Sequence, residues 1–215
     1  MSEQPTAPQA QGIDVSHRQG TIDWNAVLQA GVLFTFIKAT DGITWTDPLF
    51  AANWSGAKAA GLLCGAYHFY ETDDDPTAQA EQFLSVVDCE AGDLPPVVDF
   101  ETLATGTQSA TQALHDLQTW LDVVAQATGR LPILYTNNSF WNSLGSSAFG
   151  HFPLWIAEYG VQSPTLPAGW TSWAFWQYSE SGTVAGISVP VDLDVFNGTL
   201  AELEAFIQGP ANLGA

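Results

Sequence analysis

Short, uninterrupted apolar runs that alternate with helix-like segments constrain the fold of this chain more than any other sequence feature. Continuous apolar runs are typical of strands buried on both faces, as in parallel sheets covered by helices. Alternation of such strands with helices favours parallel β/α units. The predicted strands are Ile13–Val15, Leu33–Ala39, Leu62–Phe69, Pro96–Glu101, Ile133–Thr136, Pro153–Ala157, Trp173–Tyr178 and Pro190–Val195.

Helix signals lie between the earlier strands and fade in the last third of the chain. Capping residues, prolines in the first turn and glycines after the last turn mark where helices begin and end. The connections 160–170 and 179–189 are rich in Pro, Gly and Ser and are too short for well-formed helices. The predicted helices begin at Asp23, Pro48, Asp75, about Thr107 and Thr199.

These elements predict an α/β fold, an irregular TIM-like barrel of the (β/α)5(β)3 kind, with eight strands and helices missing in the last third. The alternative is an open doubly wound sheet. A glycine-rich phosphate loop after the first strand would favour that sheet, and Asp14-Val15-Ser16-His17 is not such a loop. A barrel is therefore the favoured architecture.

The length of 215 residues fits one domain. We expect a single catalytic barrel at 12–209, a disordered N-terminal tail at 1–11 and a C-terminal tail at 210–215. The first eleven residues are polar, without a basic region or an apolar core, so we do not expect them to form a signal peptide.

The charge balance excludes two classes of partner. The chain has 23 acidic residues against 4 basic ones, a net charge of −19. Nucleic acid and anionic membrane surfaces bind clusters of Lys and Arg, so we expect neither as a partner. No segment approaches the roughly 20 apolar residues that a membrane span needs.

The histidines and cysteines predict neither a metal site nor a cofactor. Cys64 lies in an apolar run and is expected in the core. A disulfide with Cys89 stays open, because spacing along the chain cannot establish one. No G-x-S-x-G motif is present, which disfavours the usual serine hydrolases. The histidines, none at metal-ligand spacing, are His17, His68, His115 and His151.

Carboxylates and aromatic side chains gather where the predicted strands end. In a β/α barrel these ends form the face that carries the catalytic residues. Carboxylates supply acid/base chemistry, and aromatic rings suit the apolar faces of sugars. The side chains at these ends are Asp14, Lys38, Asp41, His68, Tyr70, Glu71, Asp99, Glu101, Tyr135, Asn137, Glu158, Tyr159, Gln177, Tyr178, Asp192 and Asp194.

Asp99-Phe100-Glu101 is the sharpest local motif. Residues i and i+2 of a strand point the same way, about 6.6 Å apart at roughly 3.3 Å per residue. Two such carboxyl groups repel when both are charged, so the less solvated one should keep its proton to a higher pH. An isolated D-x-E is more often a strand end with solvated acids, and the motif gains weight from the acids around it.

Asp14 and Asp192 are the acids expected to flank this pair. The first and last strands of a closed barrel are neighbours, which brings these two distant residues to one cleft. Asp14 taken alone also fits a turn or cap residue. Of Asp192 and Asp194, one also fits an ordinary polar position in a strand.

The chain from Gly12 to about Phe206 resembles the family 25 glycoside hydrolases, the Chalaropsis-type lysozymes. The chain departs from the family at two positions. A Glu is common in the family where this chain has Asp41, and an Asn is usual where it has Asp194. Taken singly the matching segments are weak, and their order over the whole chain is specific. They are Gly12–His17, Phe36–Thr40, Gly65–Phe69, Leu154–Tyr159, Trp176–Tyr178 and Val191–Gly198.

The resemblance implies an enzyme that hydrolyses the β-1,4 bond between N-acetylmuramic acid and N-acetylglucosamine. It implies Glu101 as the general acid and Asp99 as the group that orients the 2-acetamido group of the substrate, whose carbonyl acts as internal nucleophile. Asp14 and Asp192 complete the implied catalytic set. The predicted substrate-binding residues are Lys38, His68, Tyr70, Tyr135, Tyr159 and Gln177.

The implied partner is the glycan strand of peptidoglycan, and we expect a monomer. Peptidoglycan lies outside the cytoplasm, so the implied place of action is the cell wall, reached by phage lysis, by a secretion machine or after removal of a signal peptide. Two alternatives stay open: another glycosidase of the chitinase kind on a similar barrel, and a noncatalytic wall-binding domain.

Overall fold

The computed structural model describes residues 8–104 and 108–209. The predicted tail residues 1–7 and 210–215, and the predicted helix start at Thr107, lie outside the described residues. The strands are β1 Gln11–Val15, β2 Phe34–Asp41, β3 Trp45–Thr46, β4 Leu63–Phe69, β5 Val97–Asp99, β6 Ile133–Asn137, β7 Leu154–Ala157, β8 Phe175–Gly182 and β9 Val191–Phe196. The helices are α1 Trp24–Gln29, α2 Phe50–Ala60, α3 Pro76–Val86, α4 Ala110–Thr128, α5 Asn138–Leu144 and α6 Leu200–Gln208, with a short 3-10 helix at His17–Gln19.

Eight strands close into a barrel, which confirms the predicted fold class. β1, β2 and β4 to β8 pair side by side in parallel, in that order. β9 then closes the barrel by pairing antiparallel with both β8 and β1. The two-residue β3, which the sequence did not predict, pairs antiparallel with the end of β2.

The predicted boundaries differ from the structure at two places that matter for the site. β5 ends at Asp99, so Glu101 follows the strand instead of ending it. The predicted N-terminal tail is wrong at its last two residues, because Ala10 is buried and Gln11 begins β1. The backbone of Ala10 is tied to the end of the barrel by hydrogen bonds of 2.9 Å with Phe196 and Gly198.

The apolar core has two layers, one inside the barrel and one between the strands and the helices. Inside, the rings of Phe36 and Trp155 stack at 4.4 Å between centroids. Gly65 makes room for this pair, since a Cβ at that position would lie 2.6 Å from the Phe36 ring. The outer layer includes Trp120 and Cys64, so Cys64 is the core residue that its apolar run predicts.

Both cysteines are free thiols, with Cys64 buried and Cys89 partly buried. The disulfide that the sequence left open is therefore absent. Within the described parts of the chain, every helix is too short or too polar to cross a membrane.

Candidate active site

A cleft of about 500 Å³ opens at the carboxyl ends of the parallel strands. This is the face on which β/α barrels place their catalytic groups. The side chains that line the cleft are mainly acids and aromatic rings. They are Asp14, Val15, Ser16, His17, Arg18, Gln19, Lys38, Asp41, Trp45, Tyr67, Phe69, Asp99, Glu101, Tyr135, Trp155, Tyr159, Gln177, Glu180 and Asp192.

Asp99 and Glu101 both lie in this cleft, as their spacing predicts. Asp99 is the last residue of β5 and is only 8% exposed, while Glu101 is partly buried. Phe100 between them points away from the cleft and packs on Tyr70, with 5.5 Å between ring centroids. Its backbone N–H donates to the carbonyl oxygen of Tyr135 at 3.0 Å. The strand end is therefore held so that the two acids face the cleft and the phenyl ring faces the core.

Burial raises the pKa of both carboxyl groups. The pKa of Asp99 lies well above its ordinary value because the group is buried and because Glu101 is near it. Burial is also the main cause that raises the pKa of Glu101. The Lys38 ammonium acts against burial at both groups. The pair thus holds a proton at pH values where an exposed carboxyl group is ionised.

Asp14, Asp192 and Asp194 form a second group of acids on the strands that close the barrel. Asp14 of β1 is paired in register with Asp192 of β9. Asp194 is fully buried, and its Oδ1 accepts a hydrogen bond of 2.8 Å from Nε1 of Trp155. Burial raises the pKa of all three, and at Asp14 the charges of Asp194 and Asp192 add to it.

The sequence-based prediction placed Asp192 and Asp194 at the carboxyl end of their strand, and this was wrong. β9 runs antiparallel to its neighbours, so its amino end reaches the mouth of the barrel. Asp192 therefore lines the cleft, whereas Asp194 lies deeper and does not. The direction of a strand is set by barrel closure, which the residues of that strand do not reveal.

Gln177 joins three cleft residues through its side-chain amide. Its Nε2 donates to Oδ2 of Asp14 at 2.6 Å. Its Oε1 accepts from the hydroxyl groups of Tyr135 at 2.9 Å and Tyr159 at 2.6 Å. Burial raises the pKa of both phenols, so they stay protonated and can donate. This network fixes the orientation of the Asp14 carboxyl group at the wall of the cleft.

Lys38 is the cation beside the Asp99 and Glu101 pair. Its Nζ makes an ion pair of 2.7 Å with Oδ2 of Asp41. The same ammonium lies 4.5 Å from the centre of the Phe69 ring and 5.2 Å from that of Trp45. Because the aromatic faces and Asp41 hold it in place, its charge is fixed relative to the cleft acids.

Two predicted substrate-binding residues, His68 and Tyr70, do not line the cleft. His68 is 0% exposed, stacks on Trp120, and its ring nitrogens contact Thr40 Oγ1 at 2.8 Å and Gln79 Oε1 at 3.1 Å. Burial lowers its pKa to about 4, so it is neutral in the core. Tyr70 is also buried in the outer layer.

The physical reason is the two-residue period of the strand, since neighbouring residues point to opposite faces. In β4 the residues that face the cleft are Tyr67 and Phe69, which the sequence analysis missed. The register between β2 and β4 indicates that these residues face the cleft. Tyr67 is opposite Lys38 on β2, and paired residues share a face. The other cleft residues missed by sequence reasoning include Val15, Ser16, Trp45, Trp155, Glu180 and the 3-10 helix residues Arg18 and Gln19.

No group of three or more His, Cys, Asp or Glu side chains is placed to hold a metal ion among residues 8–104 and 108–209. The polar side chains that line the cleft include carboxylic acids, phenols, an amide and two cations. A β/α barrel with one buried and one partly buried acid in an aromatic-lined cleft is typical of a barrel enzyme equipped for acid/base hydrolysis of glycosides.

Comparison with known proteins agrees with this class. The family model for glycosyl hydrolases family 25 matches residues 13–187. Lysozyme M1 of Streptomyces globisporus is 41% identical over 212 residues, covering 94% of this chain and 72% of its own. The N,O-diacetylmuramidase of Chalaropsis sp is 31% identical, covering 93% of this chain and 99% of its own.

Solved structures give the same result. The crystal structure of the bacterial lysozyme from Streptomyces coelicolor superposes with a TM-score of 0.88 at 38% identity, covering 93% of this chain and 97% of that one. The chain belongs to glycosyl hydrolases family 25, and it is a glycoside hydrolase.

Proposed function

We propose that this protein is an N-acetylmuramidase that cleaves the β-1,4 bond between N-acetylmuramic acid and N-acetylglucosamine in peptidoglycan, with Glu101 as the general acid. The observation that carries the proposal is the placement of Asp99 and Glu101 on one face of the cleft, both with raised pKa. The lysozymes and muramidases among the relatives support the choice of substrate.

Glu101 suits the role of acid because it combines burial with access. A general acid must keep its proton near the working pH and must also reach the leaving oxygen. Burial raises the pKa of Glu101, yet its side chain is only partly buried and lines the cleft. Asp99, almost wholly buried, has less room to deliver a proton to a bound sugar.

Asp99 suits the role of the orienting group. Its Oδ1 has no hydrogen-bond partner among the described residues. This oxygen is buried, and an acetamido N–H of the substrate that donates to the part of the carboxyl group facing the cleft favours the ionised form of Asp99. The proton that the pair holds then lies on Glu101, where the reaction needs it. Substrate binding thereby leaves Asp99 ionised and Glu101 protonated.

The reaction needs no nucleophile from the protein, because the acetamido group of the substrate supplies it. Glu101 gives its proton to the glycosidic oxygen, the bond from that oxygen to C1 breaks, and the acetamido carbonyl oxygen bonds to C1. The resulting oxazolinium ion is stabilised by the Asp99 carboxylate. Water then adds to C1 as Glu101 takes its proton, which opens the oxazoline ring and restores the acid. This double displacement retains the β configuration.

Asp14, Asp192 and the Gln177 network support this chemistry from the opposite wall. Gln177 holds Oδ2 of Asp14 and so orients this carboxyl group at the wall of the cleft. Tyr135, Tyr159, Gln177 and Lys38 are proposed to bind the glycan, since all line the cleft. All of these groups come from one chain, so we propose that a monomer acts on the cell wall.

The product of wall digestion tests the substrate assignment. Purified peptidoglycan is digested, and the new reducing ends are reduced with borohydride and identified. Reduced muramic acid is expected, whereas reduced N-acetylglucosamine would indicate a chitinase-like bond preference. NMR of the first product is expected to show the β anomer, and an initial α anomer would rule out retention.

The Glu101→Gln variant tests the acid. Its turnover is expected to fall by about 10²- to 10⁴-fold, the usual contribution of a general acid. Glu204→Gln is the matched control, because it makes the same chemical change at an exposed position on α6. Unchanged clearing by Glu101→Gln would remove Glu101 from the mechanism. If neither the wild type nor the control cleaves glycan but both bind it, a noncatalytic wall-binding role is favoured.

A further inference from the structure

Positive charge is scarce in this protein and is concentrated at the cleft. The chain has 4 Lys and Arg residues against 23 acids. Two of these four cations, Arg18 and Lys38, line the cleft. A molecule with a net charge of −19 repels an anionic polymer at long range. Cations inside its binding cleft therefore call for a specific explanation.

Three of the four cations are committed to contacts within the protein. Lys38 pairs with Asp41, and Lys58 pairs with Glu90 and Asp93. Arg130 donates to backbone carbonyl oxygens, including that of Ile207 at 3.0 Å.

Arg18 differs from these three. Its backbone N–H donates to Ser16 Oγ at 3.2 Å, and its side chain is exposed. Its guanidinium makes no ion pair with residues 8–104 or 108–209. The five N–H donors of this group are therefore free to bind a ligand.

The backbone that carries Arg18 is firmly held. Ser16 and Gln19 form a capping box across the 3-10 helix His17–Gln19. The backbone N–H and ring Nδ1 of His17 both contact Oδ2 of the buried Asp47 at 2.9 Å. Gln19 Nε2 donates to the Pro190 carbonyl oxygen at 3.3 Å, which ties this helix to the start of β9. The base of the Arg18 side chain is thus a fixed part of the cleft rim.

Arg18 and Lys38 serve different parts of the cleft. Lys38 is the cation that lowers the pKa of Asp99 and of Glu101, so it acts on the catalytic pair. Arg18 follows β1 on the rim, beside the His17 ring, which packs edge-on against Trp45 at 5.3 Å. Its charge is available to a group of the substrate that lies outside the scissile bond.

We propose that Arg18 binds a carboxylate on the muramic acid side of the substrate, which is the lactyl carboxylate where no peptide is attached and a peptide carboxylate where one is. The proposal rests on the proposed function. A guanidinium matches a carboxylate with two parallel hydrogen bonds. Such a contact distinguishes muramic acid, which has the lactyl group, from N-acetylglucosamine, which lacks it. It also offsets the repulsion between two anionic molecules at the place where binding occurs.

Selectivity between charged and neutral walls tests the proposal. The substrates are peptidoglycan freed of wall phosphate polymers, and the same material with its carboxyl groups converted to methylamides by carbodiimide coupling. The quantity measured is the ratio of kcat/KM on the two materials at low salt. The variants are Arg18→Gln and, as a matched control, Lys58→Gln, which also removes one positive charge but lies outside the cleft.

Lys58→Gln is expected to show the same ratio of kcat/KM on the carboxylate wall to that on the methylamide wall as the wild type. Arg18→Gln is expected to reduce that ratio by about twofold to fivefold, the range for an exposed charge pair, mainly through KM. The effect should shrink as salt rises towards 0.15 M, where the Debye length is about 8 Å. If the ratio for Arg18→Gln equals that of the wild type, as it would with equal losses on both walls, the proposal is overturned.

A third substrate separates carboxylate from phosphate. If the loss in Arg18→Gln occurs only on walls that retain their phosphate polymers, Arg18 binds phosphate and the carboxylate proposal is wrong. The failure of the proposed function is distinguishable from these outcomes. In that case the wild type and Lys58→Gln release no muramic acid reducing ends from any of the three walls.

Discussion

Asp194→Asn is expected to flatten the dependence of stability on pH. Asp194 is fully buried beneath the cleft, and its pKa is raised well above the ordinary value by burial. The folded chain therefore keeps a proton on this group at pH values where the unfolded chain has lost it. Stability from this group is complete below the unfolded pKa of about 3.9 and is lost as pH rises towards the folded pKa.

The magnitude follows from proton linkage. Over the pH range in which the folded protein holds one more proton than the unfolded chain, the free energy of unfolding falls by about 1.4 kcal/mol per pH unit. For a chain of this length that is a loss of roughly 3 to 6 °C in Tm per pH unit. Asn keeps an oxygen for the Trp155 hydrogen bond of 2.8 Å. The Asp194→Asn variant should therefore lose this dependence of the unfolding free energy on pH and keep the hydrogen bond from Trp155.

The assay is urea unfolding at several pH values from 4 to 7, with Tm measured in parallel. The slope of the unfolding free energy against pH in Asp194→Asn should be smaller than in the wild type by about one proton. Because Asp14 and Asp192 titrate together with Asp194, the change is read from the whole curve and not assigned to one group. Glu204→Gln, at an exposed acid, should leave the slope as it is. A slope in Asp194→Asn equal to that of the wild type would refute the reasoning.

Three further predictions concern the site and its frame. Lys38→Gln removes the cation that lowers the pKa of Glu101. The pH at which kcat/KM falls on the basic side of its pH profile should therefore rise, and an unchanged or lower pH would contradict this. Gln177→Leu breaks the hydrogen bonds to Asp14 and to two phenols. At about 1.5 to 3 kcal/mol for a hydrogen bond to a charged group, kcat/KM on peptidoglycan should drop by about 10- to 100-fold, with far-UV circular dichroism unchanged. Full activity would show that the network is dispensable. Gly65→Ala places a Cβ 2.6 Å from a phenyl ring inside the barrel, which should lower the free energy of unfolding by about 1 to 3 kcal/mol, and urea unfolding at the wild-type midpoint would contradict this.

Several parts of this molecule were predictable from short stretches of sequence. The buried strands appear as continuous apolar runs because parallel strands are covered on both faces. Asp99 and Glu101 share a face because their spacing of two matches the period of an extended chain, even though β5 ends at Asp99. Asp75 and Thr199 cap helices through side-chain contacts within three residues.

The errors arose where local pattern carries no information about direction or face. In β4 the run Cys64 to Phe69 is apolar or aromatic on both faces, so alternation does not show which side faces the cleft. His68 and Tyr70 were therefore assigned to the cleft, although the structure places Tyr67 and Phe69 there. The buried contacts of His68 come from Thr40 and Gln79, on other elements.

The sequence by itself determined most of the strands and helices, the acid pair and the class of fold, since these depend on rules that act over a few residues. Only the tertiary structure decided that β9 runs antiparallel, which brings Asp192 to the cleft and leaves Asp194 beneath it. It also decided that Gln177 holds Asp14, 163 residues away along the chain. Closure of a barrel joins its first and last strands, so these contacts depend on the whole chain and on no single segment of it.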